Sequence, residues 1–287
     1  MLYQQIIKIA KSVRAAESLL LTGFIIIGGI YSLMFISSIK ALDFILLFCI
    51  SYSLMLSVYT ANALLGKKHD KINPRLKSLT LFTSNYYLIL TILLYSFSAI
   101  LCLLFYPKTI GFQIAIFVLC FIYAIPGFGK HLPLMGTFFH FFVGIIQFNF
   151  AFLFFAPISI HSFLISLYFA LIFSAGHLHH EVIDYEADFK NKIKSSAVKW
   201  GFKTIEKASY SVFALAHLYL IALLLLGIAE LKIFFIFIVG FILHSIFFFY
   251  YFQQIDKGIT IRTQYRLSYR IIYFICGLIF LGMILIA

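Results

Sequence analysis

Histidines and carboxylates crowd one short stretch of this chain, His177-Leu178-His179-His180-Glu181-Val182-Ile183-Asp184-Tyr185-Glu186-Ala187-Asp188. On a helix, Glu181, Asp184 and Asp188 fall at i, i+3 and i+7 and share one face. Three carboxylates on one face repel each other unless something cationic sits between them. A hard divalent cation such as Mg2+ suits oxygen ligands and would relieve this. A solvated helix end neutralised by Lys190, Lys192 and Lys194 fits the same spacing, and the spacing alone does not choose between the two.

Two further polar clusters carry candidate chemistry. Asn62, Gly66 and Asp70 fall on roughly one helical face, beside Lys67, Lys68 and His69 and ahead of Asn73-Pro74-Arg75. Taken alone, this reads as a helix terminus followed by a basic anchoring loop. The stretch Tyr123-Ala124-Ile125-Pro126-Gly127-Phe128-Gly129-Lys130-His131-Leu132-Pro133 breaks a helix and leaves backbone N–H groups near a lysine. That arrangement can hold an anion or can be an ordinary turn.

The elements that carry these clusters are set by composition. Of the 287 residues 63% are hydrophobic and only 11% charged, where a soluble domain averages about 25% charged. Mean hydropathy is +1.04. Lipid must be the solvent for most of this surface. With roughly 20 apolar residues per crossing, spans are expected at 19–39, 41–65, 79–105, 109–125, 135–156, 161–183, 207–229, 231–252 and 268–287. The expected fold is all-α, an integral membrane bundle of about nine transmembrane helices forming one domain over 1–287. The runs are continuous, whereas a β-barrel would alternate with period two.

Nine spans place the termini on opposite sides. Lys8, Lys11, Arg14, the lysines and arginine of 67–77, Lys130, the lysines of 190–207 and the basic residues from Lys257 to Arg270 then share one side. Only Lys40, Lys108 and Lys232 fall on the other. The positive-inside rule makes the crowded side cytoplasmic, with the N-terminus and all three clusters on it. The net charge of +12 is therefore read as loop anchoring against anionic headgroups, with no nucleic-acid partner, because no basic soluble domain is present. Cys49, Cys102, Cys120 and Cys276 all lie in apolar runs and read as packing residues. Glu206 is expected to pair with Lys203 or Lys207.

The acidic stretch resembles the second aspartate motif of the UbiA superfamily of intramembrane prenyltransferases, roughly D-x-x-D-x-E-G-D, a basic residue, a turn, a Lys-Ser or Lys-Thr step and a Gly. Glu181, Asp184 and Asp188 stand at its acidic positions, Glu186 and Ala187 at the E-G step, and Lys194-Ser195-Ser196 and Gly201 follow. The segment Asn62 to Arg75 is similar to the first motif, N-D-x-x-D-x-x-x-D with an I-N-x-P-x-R-like continuation. Asn62, Asp70, Ile72, Asn73, Pro74 and Arg75 match, while Ala63 and Gly66 replace two aspartates. Tyr123 to Pro133 resembles the family's Tyr-x-x-Pro…Lys loop, with Lys130 at the basic position.

The resemblance covers the whole chain and implies transfer of an isoprenyl group from an isoprenyl diphosphate to an aromatic or lipid acceptor in the bilayer, with Mg2+ as cofactor. It implies catalytic roles for Asp184 and Asp188. Glu181, Asp184 and Asp188 would hold one Mg2+, and Asp70 with Asn62 what remains of a second. Lys130, Lys194 and Arg75 would meet the diphosphate. Lys67 and Lys68 stand where the first motif lost acidic charge, so an ammonium there would replace a metal and make binding less Mg2+-dependent. A terpene-cyclase-like relative and a non-enzymatic member that kept the fold are the alternatives. The implied location is the cell (inner) membrane.

Other classes fit the residues less well. His177-x-His179-His180 echoes part of a desaturase histidine box, but the remaining histidines are isolated. A transporter would place acids at mid-membrane on broken helices, whereas these acids collect at one edge.

Overall fold

The computed structural model describes residues 9–36, 41–70, 73 and 82–286, apart from the side chains of 68–70, 232–234 and 285–286. The architecture is carried by the following α-helices of the described residues: α1 (Ala15–Ser32), α2 (Ala41–Asp70), α3 (Ser84–Phe105), α4 (Ile110–Ala124), α5 (Met135–Phe152), α6 (Ile160–Lys190), the short α7 (Ser196–Trp200), α8 (Phe202–Leu225), α9 (Leu231–Phe252) and α10 (Ile259–Ile286). Among the described residues there is no strand, and nine helices are long and apolar enough to cross a membrane. The fold is all-α, and the chain is a multi-pass integral membrane protein.

Two compact units divide the chain: residues 1–132 with 146–157, and 133–145 with 158–287. The boundary crosses α5, whose two halves belong to different units.

In the first unit, Ile25, Leu47, Ile50, Leu54, Met55, Ile116, Phe150 and Phe154 form a buried apolar cluster. Small residues let the helices close on one another, as lipid-embedded packing demands. A Cβ at Gly28 would overlap the Phe148 carbonyl oxygen. Hydrogen bonds cross between helices where water is absent: Ser98 Oγ donates to the Ile50 carbonyl at 2.8 Å and accepts from Gln113 Nε2 at 2.8 Å. The Tyr106 hydroxyl donates to Asp43 Oδ1 at 2.6 Å. Thr83 caps α3, its side chain accepting from Tyr86 N at 3.2 Å.

The second unit is an aromatic core. Phe213, Phe248, Tyr265 and Tyr269 are buried with Ala175. The Tyr210 and Phe248 rings stack at 3.9 Å, and Tyr265 pairs with His244 Nε2 at 2.6 Å. Ser209 Oγ donates to the Ala175 carbonyl at 2.8 Å and ties α8 to α6.

Helix α6 runs unbroken for 31 residues from a Ser159–Ser162 capping box. At 1.5 Å per residue it is about 46 Å long, against a hydrocarbon core of about 30 Å. It is long enough to carry its acidic end past the apolar slab on regular helix. The sequence places the end of the sixth span at 183, but the helix continues seven residues further and includes all of Glu181 to Asp188. The ninth span, expected from 268, begins at Ile259. Arg262 lies inside the protein with its charge met by Glu186, so the helix carries it.

Candidate active site

On α6 the three acids keep the one-face spacing but differ in setting. Glu181 is buried, and the Asp184 and Asp188 side chains are half-buried. Glu181 Oε2 accepts from the backbone N–H of Ser196 at 2.7 Å and of Ala197 at 3.3 Å. It thereby serves the otherwise unpaired first amides of α7. Glu181 Oε1 is buried with no hydrogen bond, and its nearest named neighbour is His177 Nδ1 at 3.7 Å. His180 Nε2 lies 3.4 Å from Asp184 Oδ2.

The Lys194-Ser195-Ser196 step sits at the other end of this contact. Lys194 is exposed, while both serines are buried. Ser196 Oγ accepts from the Leu134 N–H at 2.9 Å. Lys192, at φ 55, turns the chain from α6 toward this step. Glu181 therefore fixes the backbone immediately after Lys194.

Behind the acids, the histidines of this stretch meet partners that lie far off in the sequence. His177 Nδ1 is 3.2 Å from Thr137 Oγ1. The His140 ring lies 4.0 Å from the His177 ring, and His140 Nδ1 donates to the Gly136 carbonyl at 2.7 Å. His179 is fully buried, with Nδ1 2.6 Å from Glu206 Oε2 and Nε2 3.0 Å from the Arg262 carbonyl. This corrects the expected Glu206 pairing. Lys203 instead meets Asp256 at 2.6 Å, and Lys207 lies over the Phe252 ring. Glu206 is turned into the protein because its register on α8 faces α6, which sequence distance conceals.

The first motif belongs to the other unit. Asn62 Oδ1 is buried without a hydrogen bond. Lys67 Nζ donates to Ser84 Oγ at 3.4 Å. Ala63 is buried with Tyr87, against Leu64, Phe82 and Tyr86. A carboxylate at 63 would be desolvated among rings and methyl groups, so the missing aspartate matches an apolar setting. The side chains of Asp70 and Lys68, and the whole of Arg75, Ile72 and Pro74, lie outside the described residues.

The loop holding Lys130 is a turn closed on itself. Gly127 N donates to His131 Nδ1, Phe128 N to the Ile125 carbonyl and His131 N to the Phe128 carbonyl. Of the two readings left open for this loop, these three amides support the ordinary turn. Gly129 is at φ 45 and a Cβ there would collide with the Tyr123 backbone, so only glycine fits.

Among the described residues, no group of three or more His, Cys, Asp or Glu could hold a metal ion by itself. Mg2+ in phosphate sites takes one or two carboxylates and completes its shell with phosphate oxygens and water. Asp184, Asp188 and the orphan Glu181 Oε1 are hard oxygen donors of that type. The residues fit a magnesium–diphosphate better than a bare metal cage.

A family model described as the UbiA prenyltransferase family matches residues 21–285. The fold is similar to that of a UbiA homologue from Archaeoglobus fulgidus bound to DMAPP and Mg2+, with a TM-score of 0.75, 17% identity, and 96% of this chain and 99% of that one covered. A UbiA homologue from Aeropyrum pernix K1, in its apo form, gives 0.70 at 14% identity, covering 92% and 97%. A digeranylgeranylglyceryl phosphate synthase gives 0.65 at 17% identity, covering 97% and 98%. No curated protein matches.

Proposed function

The chain belongs to the UbiA prenyltransferase family, and from that membership we propose that it is an intramembrane prenyltransferase acting on an isoprenyl diphosphate and an aromatic or lipid acceptor. The whole chain, 1–287, is taken as one catalytic domain. Its N-terminus and motif loops face the cytoplasm, in the cell's inner membrane. One observation carries the reading: Glu181, Asp184 and Asp188 share a face at the end of one continuous helix, inside the family's second motif. The similar fold of the A. fulgidus homologue bound to DMAPP and Mg2+ supports the same substrate class.

The reaction breaks the bond between the allylic C1 and the bridging diphosphate oxygen. The electron pair leaves with the diphosphate, and C1 becomes an allylic cation. An electron pair of the acceptor forms the new bond to C1, and the acceptor loses a proton. Mg2+ bound at Asp184, Asp188 and Glu181 Oε1 would supply the positive charge that stabilises the departing diphosphate. Asp184 and Asp188 are the catalytic carboxylates in this reading, and Lys130, Lys194 and Arg75 bind the diphosphate. Asn62 and Asp70 would hold what remains of a second metal. Lys67 and Lys68 supply cationic charge where Ala63 and Gly66 stand. Aromatic faces shield the cation, and a dry surround keeps water from quenching it.

Ala63 in its apolar cluster also favours a second reading, a member that kept the fold and lost the chemistry. A melting titration in detergent separates the two, using geranyl diphosphate with and without Mg2+. A ligand that binds only the folded state raises the melting temperature. The enzyme reading expects a Mg2+-dependent rise that Asp188→Asn loses. Absence of any rise in well-folded protein would overturn it.

A further inference from the structure

Arg262 is almost wholly buried, 3% exposed, and its contacts converge on the back of the acidic helix end. Nη1 donates to Glu186 Oε1 at 2.7 Å and to the Val182 carbonyl at 3.2 Å. Nε donates to the Ile255 carbonyl at 3.3 Å, and the guanidinium lies 4.1 Å over the Phe202 ring. The Arg262 carbonyl accepts from His179, which Glu206 holds from the other side. One residue thus joins α6, the start of α8 and the turn at Ile255–Lys257.

The helical wheel gives this brace its meaning. At about 100° per residue, His179, Val182 and Glu186 cluster on one side of α6. Glu181, Asp184 and Asp188 cluster roughly 160° away. Glu186 lies between the two aspartates in sequence, yet it points to the opposite side and is neutralised there. The three acids on the front repel one another; Glu181 is held there by the Ser196 and Ala197 amides, and the Arg262 contacts brace the same turn from the back.

We propose that Arg262 is a positioning residue for the reaction: it sets the rotation and height of the turn bearing Asp184 and Asp188, and it withdraws the Glu186 charge from the diphosphate. This rests on the prenyl-diphosphate reading above. A guanidinium is required because its planar fork reaches Glu186, Val182 and Ile255 together, which a lysine ammonium cannot do.

The test is the Mg2+ concentration that half-saturates geranyl diphosphate binding to the full-length protein in detergent, followed by melting temperature and by calorimetry. Loss of a residue that orients metal ligands weakens metal affinity about tenfold or more, and Arg262→Gln is expected to raise the half-saturating Mg2+ by about that factor. Arg262→Lys recovers only part of the loss. Glu186→Gln alone stays within about twofold of wild type, unlike Asp188→Asn, and added to Arg262→Gln it restores part of the affinity. A merely structural arginine would lower the ligand-free melting temperature and leave the half-saturating Mg2+ unchanged; that result overturns the proposal. So does a Glu186→Gln loss as complete as that of Asp188→Asn, which decides the matter even if Arg262→Gln fails to fold. If wild type binds no geranyl diphosphate, the parent reading falls and takes this one with it. If wild type binds and Arg262→Gln binds alike, only this one falls.

Discussion

Glu181 is one methylene longer than the aspartate of the motif it resembles, and its Oε2 reaches the amides of Ser196 and Ala197. The substitution ties the acidic turn to the loop after Lys194. Glu181→Asp is expected to lose that reach, and hydrogen exchange at the Ser196 and Ala197 amides should quicken while α6 stays protected. Unchanged protection would mean the contact does not hold α7. Glu206 is a different case, a carboxylate 2% exposed with His179 2.6 Å away. Removing one partner of such a pair costs about 3–5 kcal/mol because the other is left buried alone. Glu206→Ala should therefore lower the melting temperature markedly, with Glu206→Gln milder, as read by thermal unfolding in detergent.

At the scale of helices, contact depth is set by residues without side chains. Gly28 meets the Phe148 carbonyl on α5, whereas Gly23, on the same helix, has nothing within 4 Å of a built Cβ. Gly28→Val is expected to destabilise by about 2 kcal/mol through overpacking, and Gly23→Val to be close to neutral. Thermal unfolding of the two variants checks the pair, and equal effects would mean that helix propensity rather than packing is at stake. Loop ends obey local chemistry: Thr83→Ala should cost about 1 kcal/mol as a lost cap, visible as faster exchange at Tyr86 N. Helix lengths were harder to foresee. Arg262 lies in α10 although the ninth span was expected from 268, and three of its four polar contacts are made with residues 76 to 83 positions away.

For the whole molecule the sharpest expectation concerns sidedness. Nine spans with the basic loops inside place Lys192 and Lys108 on opposite faces of the membrane. Cysteine placed at 192 should react with a membrane-impermeant maleimide from the cytoplasmic face only, and cysteine at 108 from the other. The native cysteines are free and buried or half-buried, and a cysteine-less background removes any ambiguity. Labelling of both positions from one face would overturn the nine-span topology.

The sequence by itself determined the all-α membrane fold, the spans to within a few residues at most ends, and the shared face of Glu181, Asp184 and Asp188. These depend on local quantities: apolar length against bilayer thickness, lysine bias between loops, and the 3.6-residue helical period. The family motif was legible for the same reason, since its acids lie within eight residues of one another. Tertiary structure alone decided the partners. His179 meets Glu206 across 27 positions, Glu186 meets Arg262 across 76, and Glu181 meets Ser196 across 15. A buried charge takes the partner that helix packing brings within 3 Å, and in water-free surroundings it cannot settle for a nearby lysine that points to the headgroups. Glu206, assigned to Lys203 or Lys207 on sequence proximity, shows the limit: neighbours on a chain share a helix, but only the folded bundle determines which side of that helix is inside.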